Sequence, residues 1–397
     1  MSEASAHKMS YVEESTRGTT PTNPKFRALP DTRTTLALTR DTLTTERITG
    51  DRFPAEPRSG ARGVSGDVPA DLSTRAYDDF IASALQGAWV ESGGEDTVTL
   101  EQDGTPDTGA VVGDSYSTTN GTVYIDEINA KTGELKVVLR YEPTITGPAE
   151  YTELFGLASA TIDSDVFEVA LYTDAEEDAI VKAGDTRLSF SILREFSDFA
   201  GGGKPFLLYA GCEVASWNLS AAANGIAKSN FTFWGRDMTG PSTTAPANSS
   251  VAPAYETEPF DTFSGQMDID GVEACIVTDY SVTINNNFAP RYTIGCDTSE
   301  DASVGQSAIE GSITAYFENA DLYEKFVNEE SLDLQLTLSD SANNQMIIDM
   351  PNLKVLSGTQ PDVTDDGPIT IVLNFSAHKD ETLGSHISVR RLFPVVV

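Results

Sequence analysis

The chain has 397 residues, 26 Lys and Arg against 61 Asp and Glu, and a formal net charge of −35. Such a balance repels nucleic acid and anionic membranes, so a role in gripping DNA is disfavoured. Cys212, Cys275 and Cys296 are odd in number and lack CxxC spacing, which excludes a disulfide framework and points to a reducing compartment.

No apolar run approaches the ~20 residues of a membrane helix, and the N-terminus lacks an export pattern. A soluble protein made without export is expected. Scarce Lys beside abundant Asp, Glu, Thr, Ala and Ser is also the composition of proteins that stay soluble in concentrated salt, where self-repulsion is screened. A halophilic or marine host and an ordinary host with an acidic surface both fit.

Taken in order, residues 1–32 are polar and rich in Thr and Pro, with Tyr11, Phe26 and Leu29 as spaced apolar anchors. They read as an N-terminal arm. A first unit follows over 33–89, resumed over 186–238. Leu36 and Leu38 alternate, and 43–63 reads as a long hairpin connection carrying Arg47, Arg52, Arg58 and Arg62. Val64, Gly66, Val68 and Ala70 then share one strand face. Tyr77, Phe80, Ile81, Ala84 and Leu85 follow at helical spacing, with Ser73 or Thr74 available as an N-cap.

Residues 90–185 read as a β-rich insertion. The runs 122–125 and 135–139 flank a turn at 129–133, 163–171 is a further strand, and 175–181 a short acidic helix. In the resumed first unit Phe190 and Ile192 alternate, and 206–214, 217–219 and 229–234 supply strands. Residues 239–259 are a Pro/Ser/Thr linker with nothing to bury.

The second unit, 260–397, echoes the first. Val282 and Ile284 stand 246 positions after Leu36 and Leu38. Ile309, Gly311, Ile313 and Ala315 stand 245 after Val64, Gly66, Val68 and Ala70, and Tyr323 and Phe326 stand 246 after Tyr77 and Phe80. Asn319 offers the second N-cap. Leu332, Leu334, Leu336 and Leu338 alternate, and 369–375 closes the unit as 231–233 closed the first. The expected fold is mainly β, of tandemly duplicated sandwich- or barrel-like domains, with one short helix per repeat and a small β-rich insertion.

A search for chemistry finds little. His7, His378 and His386 are the only histidines, too scattered for a triad. GxSxG, HExxH, Walker A and GxGxxG patterns are absent. Pro205 after Gly201-Gly-Gly-Lys204 rules out a phosphate-cradling helix there. Asp268-Ile-Asp270-Gly271 lacks the spaced third ligand and closing Glu of a calcium loop and reads as a turn. Of the sequons at Asn218, Asn230 and Asn248, only the last lies outside an expected strand. Trp89, Trp217 and Trp234 read as core rather than a sugar-binding face. No catalysis, cofactor or metal is expected. The residues singled out are packing residues for assembly: Val64, Gly66, Val68, Tyr77 and Phe80, with Ile309, Gly311, Ile313, Tyr323 and Phe326.

Several stretches carry a resemblance. Met9-Ser-Tyr-Val-Glu-Glu-Ser-Thr-Arg-Gly-Thr-Thr-Pro21, Thr39-Arg-Asp-Thr-Leu43, Gly66-Asp-Val-Pro-Ala-Asp-Leu-Ser with Tyr77-Asp-Asp-Phe80, Tyr209-Ala-Gly-Cys-Glu-Val214, Phe231-Thr-Phe-Trp-Gly-Arg236, and Gly311-Ser-Ile-Thr-Ala-Tyr-Phe-Glu318 together resemble tail tube proteins of long non-contractile-tailed bacteriophages and archaeal tailed viruses. The extreme acidity and the long 90–185 region depart from the pattern. The resemblance implies a structural virion protein, assembled in the host cytoplasm, whose rings stack into a DNA-conducting tube. Its implied partners are other copies of itself (trimeric pseudo-sixfold rings favoured, hexamers possible), the tape measure, tail terminator and distal tail proteins, and passing DNA without specific binding. It implies no membrane. The 43–63 and 285–308 connections would reach an adjacent ring, and the N-terminal arm would dock on a neighbour. The competing readings are a surface β-protein or carbohydrate-binding module of a halophilic cell, and a hydrolase using scattered carboxylates.

Overall fold

Period-two stretches become strands, and one short run of helical spacing becomes the helix. The computed structural model describes residues 6–31, 33–45, 56–91, 97–103, 105–110, 113–129, 136–144, 150–155, 159–173, 179–199, 203–255, 257–299, 301–317, 325, 327–358 and 368–393.

The first elements are β1 (His7–Glu13), β2 (Lys25–Ala28), β3 (Ala37–Leu43), β4 (Arg58–Asp71) and α1 (Asp78–Leu85). Next come β5 (Val90–Glu91), β6 (Thr97–Gln102), β7 (Thr105–Ala110), β8 (Ser115–Ser117), β9 (Gly121–Asn129), β10 (Lys136–Pro143), β11 (Glu150–Phe155), β12 (Ser159–Ile162), β13 (Asp165–Thr173) and β14 (Ala179–Lys182). The chain then continues through β15 (Phe190–Phe196), β16 (Phe206–Ala222), β17 (Lys228–Gly235), β18 (Asp237–Ser242) and β19 (Ser250–Ala252). The last stretch holds β20 (Asp261–Ile269), β21 (Val272–Glu273), β22 (Val277–Asn285), β23 (Ala289–Arg291), β24 (Asp301–Ser303), β25 (Ala308–Tyr316), β26 (Ser331–Ser339), β27 (Gln345–Gly358), β28 (Thr370–Ala377) and β29 (Ser388–Leu392).

Two compact units result, one of Met1–Trp89 with Val181–Val389, the other of Val90–Ile180 with Arg390–Val397. Residues 33–89, 186–238 and 260–389 all fall in the first of these. One long ladder runs between the two halves of the chain: β16 pairs antiparallel with β22, Trp217 opposite Ile284 and Leu219 opposite Val282.

Three expectations are corrected. The stretch read as an arm is a strand of the main sheet. Met9 and Tyr11 alternate into the core, and β1 pairs along its length with β15, Tyr11 opposite Ile192. The stretch read as a linker is also paired: β18 lies against the start of β16, Met238 opposite Tyr209, and β19 runs parallel to β2. Composition gave no hint of this, because these strands contribute backbone hydrogen bonds rather than core side chains. Where a short acidic helix was expected, Ala179–Lys182 is strand β14, with Ala179 and Val181 buried; residues 174–178 lie outside the described residues. Strands beyond expectation include β20, β27 and, after β28, β29.

The second unit consists of two four-stranded sheets, β8–β9–β10–β11 and β7–β6–β13–β12. Its core is Leu100, Val123, Ile125, Val137, Leu139 and Phe167. Residues 90–180 carry three Lys and Arg against twenty Asp and Glu, a net of −17. Nearly half of the protein's charge thus sits in under a quarter of its length.

Candidate functional site

Helix α1 forms the first corner. It starts after Tyr77, not at Ser73 or Thr74, and no side chain caps it; Asp78 and Asp79 in its first turn suit the helix dipole. It stops at Gln86, whose left-handed backbone (φ +49°) returns its amide to the carbonyls of Ala82 and Ser83. Phe80 is fully buried. Its ring lies 4.7 Å from Tyr11, 5.3 Å from Phe190, 5.6 Å from Phe231 and 5.0 Å from Phe233. Tyr77 stacks on Phe231 at 5.8 Å. One residue thereby ties helix, sheet and N-terminal strand together. In the second corner, Tyr323 and Phe326 lie outside the described residues, as does Asn319.

Two strand sets run outward from the β16–β22 join. On one side the order is β16–β17–β4–β3, on the other β22–β25–β28–β27. Leu38 stands opposite Val64, and Ile284 opposite Ile309. Gly66 faces Phe233, and Gly311 faces Phe375. A register shift follows Val214 in β16 and Val355 in β27, each time two residues before a serine. Beyond these sets β15 and β1 extend β16, while β26 and β20 extend β27. The hairpin partners close alike: the Leu29 amide donates to the Met9 carbonyl at 3.0 Å, and the Ala274 amide to that of Met267 at 2.8 Å.

Both glycines of the alternating stretches sit where no side chain fits. A Cβ on Gly66, whose φ is +154°, would come within 2.4 Å of the Leu36 backbone. On Gly311 it would meet the Phe375 ring and the Ser281 carbonyl, each at 2.4 Å. Val64, Val68, Ile309 and Ile313 fill the core beside them.

The opposite face of the joined sheet is polar. One cross-strand row reads Pro69, Asn230, Asn218, Thr283, Glu310, Ser376. The next reads Asp71, Lys228, Ser220, Ser281, Ser312, Asn374. Side chains bond across it: Thr232 Oγ1 donates to Asp67 Oδ1 at 2.7 Å, and Asn218 Nδ2 to Thr283 Oγ1 at 2.9 Å.

A buried charge cluster escaped the sequence reading. Glu14 is 6 % exposed and accepts from Ser189 Oγ (2.9 Å), Ser191 Oγ (2.7 Å) and the amides of Gly211 (2.9 Å) and Gly18 (2.6 Å). Glu213, 2 % exposed, pairs with Arg17 and takes a two-pronged bond from Arg187, both contacts at 2.9 Å. Arg187 also reaches Asp301 at 2.9 Å. Burial raises the Asp301 carboxyl, but the Arg187 guanidinium outweighs it and holds the group below the ordinary carboxylate range. Among 61 acidic residues nothing marked these; only the scarcity of Arg and Lys was a signal.

The histidines stay apart. His7 accepts from Arg194 Nε at 3.0 Å, His378 bonds Ser376 at 3.0 Å, and His386 lies 3.3 Å from Ser307 Oγ. Asp270 and Gly271 both have positive φ and form the two-residue turn between β20 and β21, the conformation that favours Asp-Gly. Trp217 is core.

Residues 4–377 match one family model, described as phage tail tube protein. No curated protein matches the chain.

Proposed function

This chain belongs to the phage tail tube protein family, whose members are non-enzymatic structural subunits of the virion tail, and we propose that three copies close into one pseudo-sixfold ring of a DNA-conducting tube. The observation that carries this reading is the matched registry of the two strand sets, down to the glycine–phenylalanine pairs and the shifts before Ser216 and Ser357. A tandem duplication accounts for it, and two wall segments per chain make six from three chains.

The join inside the chain supplies a template for the join between chains. β3 is exposed along almost its whole length, and Leu356 near the end of β27 is 58 % exposed. Such edges invite pairing, and a closed barrel removes them. Ser216 opposite Asn285 translates to Ser357 of one copy opposite Thr39 of the next.

With α1 and the aromatic core on the other side, the polar face lines the channel. It offers Asn, Ser and Thr with Asp67, Asp71, Asp279 and Glu310 against Lys228 and Lys354, so phosphates find few cations to hold them. A long non-contractile tail, with tape measure, terminator and distal tail proteins as partners, fits a subunit of this kind.

Negative-stain microscopy with a rotational average of single rings, alongside light scattering, tests the reading. Rings of three chains with six wall segments are expected. Rings of six chains, or a persistent monomer, refute it.

A further inference from the structure

Residues 293–296 form a turn closed by the Cys296 amide on the Thr293 carbonyl at 3.2 Å, with Gly295 at φ +94°. That geometry puts Ile294 at the outer corner, where it is fully exposed. Its carrier is firmly held. β23 pairs with β24, and the Arg291 amide donates to Ser299 Oγ at 3.1 Å. The Arg62 amide donates to the Asp297 carbonyl at 2.7 Å, and its guanidinium lies 3.3 Å from the Asp297 carboxylate. An isoleucine presented on a braced turn contributes nothing to the core of its own chain.

At the far end of β22 lies an apolar recess of about 290 Å³. Ala222, Phe263, Met267, Val277 and Leu336 line it, and Phe263 is 86 % exposed. Tyr280 also lines it; this residue is 3 % exposed and its hydroxyl has no hydrogen-bond partner. A recess of that volume has room for one or two side chains.

The recess lies at the Val277 end of β22, and the β23–β24 ribbon that carries the turn follows the other end of this nine-residue strand, which itself spans roughly 30 Å at ~3.3 Å per residue. A projection at one end and a complementary recess at the other make a head-to-tail contact, which propagates rather than closing on itself. Exposed Arg291 flanks the turn on one side and Asp297, whose charge Arg62 meets, on the other. Glu273 and Asp279 in the lining of the recess suit Arg291, which has no ion pair among the described residues. We infer that Ile294 of one copy seats in the Tyr280 recess of a copy in the adjacent ring. This rests on the tube reading above and names the contact that stacks the rings.

The chain carries its own probes. Cys296 is two residues from Ile294, Cys275 lines the recess, both thiols are exposed and Cys212 is buried. A short bis-maleimide added to assembled wild-type tubes, at mildly alkaline pH because the Glu273 carboxylate beside Cys275 raises its thiol, is expected to give an open-ended ladder of covalent multimers. The ladder should vanish in Cys275→Ser and in Cys296→Ser. Ile294→Asp and Phe263→Glu, both at exposed positions, should keep the wild-type melting temperature and form single rings that do not stack. Tubes of wild-type length from Ile294→Asp, or wild-type tubes without multimers, overturn this inference and leave the ring reading standing. A wild-type chain that forms no rings overturns both.

Discussion

Gly66 and Gly311 show how little latitude single positions have in this sheet. Each lies where a methyl group would press on fixed atoms, the Leu36 backbone in one case and the Phe375 ring with the Ser281 carbonyl in the other. Gly66→Ala and Gly311→Ala are each expected to cost about 1–3 kcal/mol, the usual range for overpacking, read as a lower urea midpoint with unchanged slope. Phe80 is the more drastic case. Phe80→Asp would bury an unpaired carboxylate among four aromatic rings and is expected to abolish ring assembly; normal tubes from this variant would sink the assignment of the corner. The alternation of Val64, Gly66 and Val68 was readable from residue types, since a period of two has one meaning over that length. That Gly66 is required rather than tolerated was not, because the atoms it would meet belong to Thr35 and Leu36, about thirty residues away.

Among the elements, the ribbon of β23 and β24 and the N-terminal segment are held to the sheet by charge. Arg187 bridges Glu213 and Asp301, and Arg17 shares both partners. Arg187→Leu leaves buried Glu213 with one cation instead of two and is expected to be clearly destabilising, against a ceiling of roughly 3–5 kcal/mol for breaking a buried pair outright. Adding Glu213→Gln should recover part of that loss, and a double-mutant cycle by chemical denaturation measures how much. A second element-level prediction concerns pH. Burial, helped by the charge of His378, holds the His386 imidazole below its ordinary value of 6.5. Its contribution to stability is therefore fully present above that value and lost as the pH falls through the lowered one. The melting temperature of the wild type should fall more between pH 7.5 and 5.5 than that of His386→Gln; equal falls would show that His386 is not responsible. Sequence patterns located the strands well but mistook β1, β18, β19 and β14 for arm, linker and helix. For β18 and β19, which contribute no buried side chain, backbone pairing leaves no hydrophobic signature; β1 and β14 do bury apolar residues, in runs too short to read as strands.

For the whole molecule, the prediction is electrostatic. If the polar face lines the channel, changing Asp67 and Glu310 together to Lys should leave tubes intact but make them retain duplex DNA, with an affinity that falls steeply as salt rises. Retention assays at two ionic strengths read this directly, and tubes that still release DNA freely would place that face elsewhere. The concentration of charge in residues 90–180 (net −17) means that acidity of the chain as a whole is no measure of acidity along the wall, which is mostly Asn, Ser and Thr. What the sequence determined by itself was the β class, the strand–helix corner at residues 64–85, the internal echo at an offset of 245 to 246, and the family resemblance. All of these are written in local periodicity and residue identity. Only the tertiary structure decided that the two halves share one sheet through β16 and β22, that Glu14 and Glu213 are buried among their partners, and that an exposed isoleucine sits on the ribbon after one end of β22 while a recess lies at the other. Those depend on which distant backbones come to lie side by side, and a pairing between remote strands is set by the packing of the whole core rather than by either strand alone.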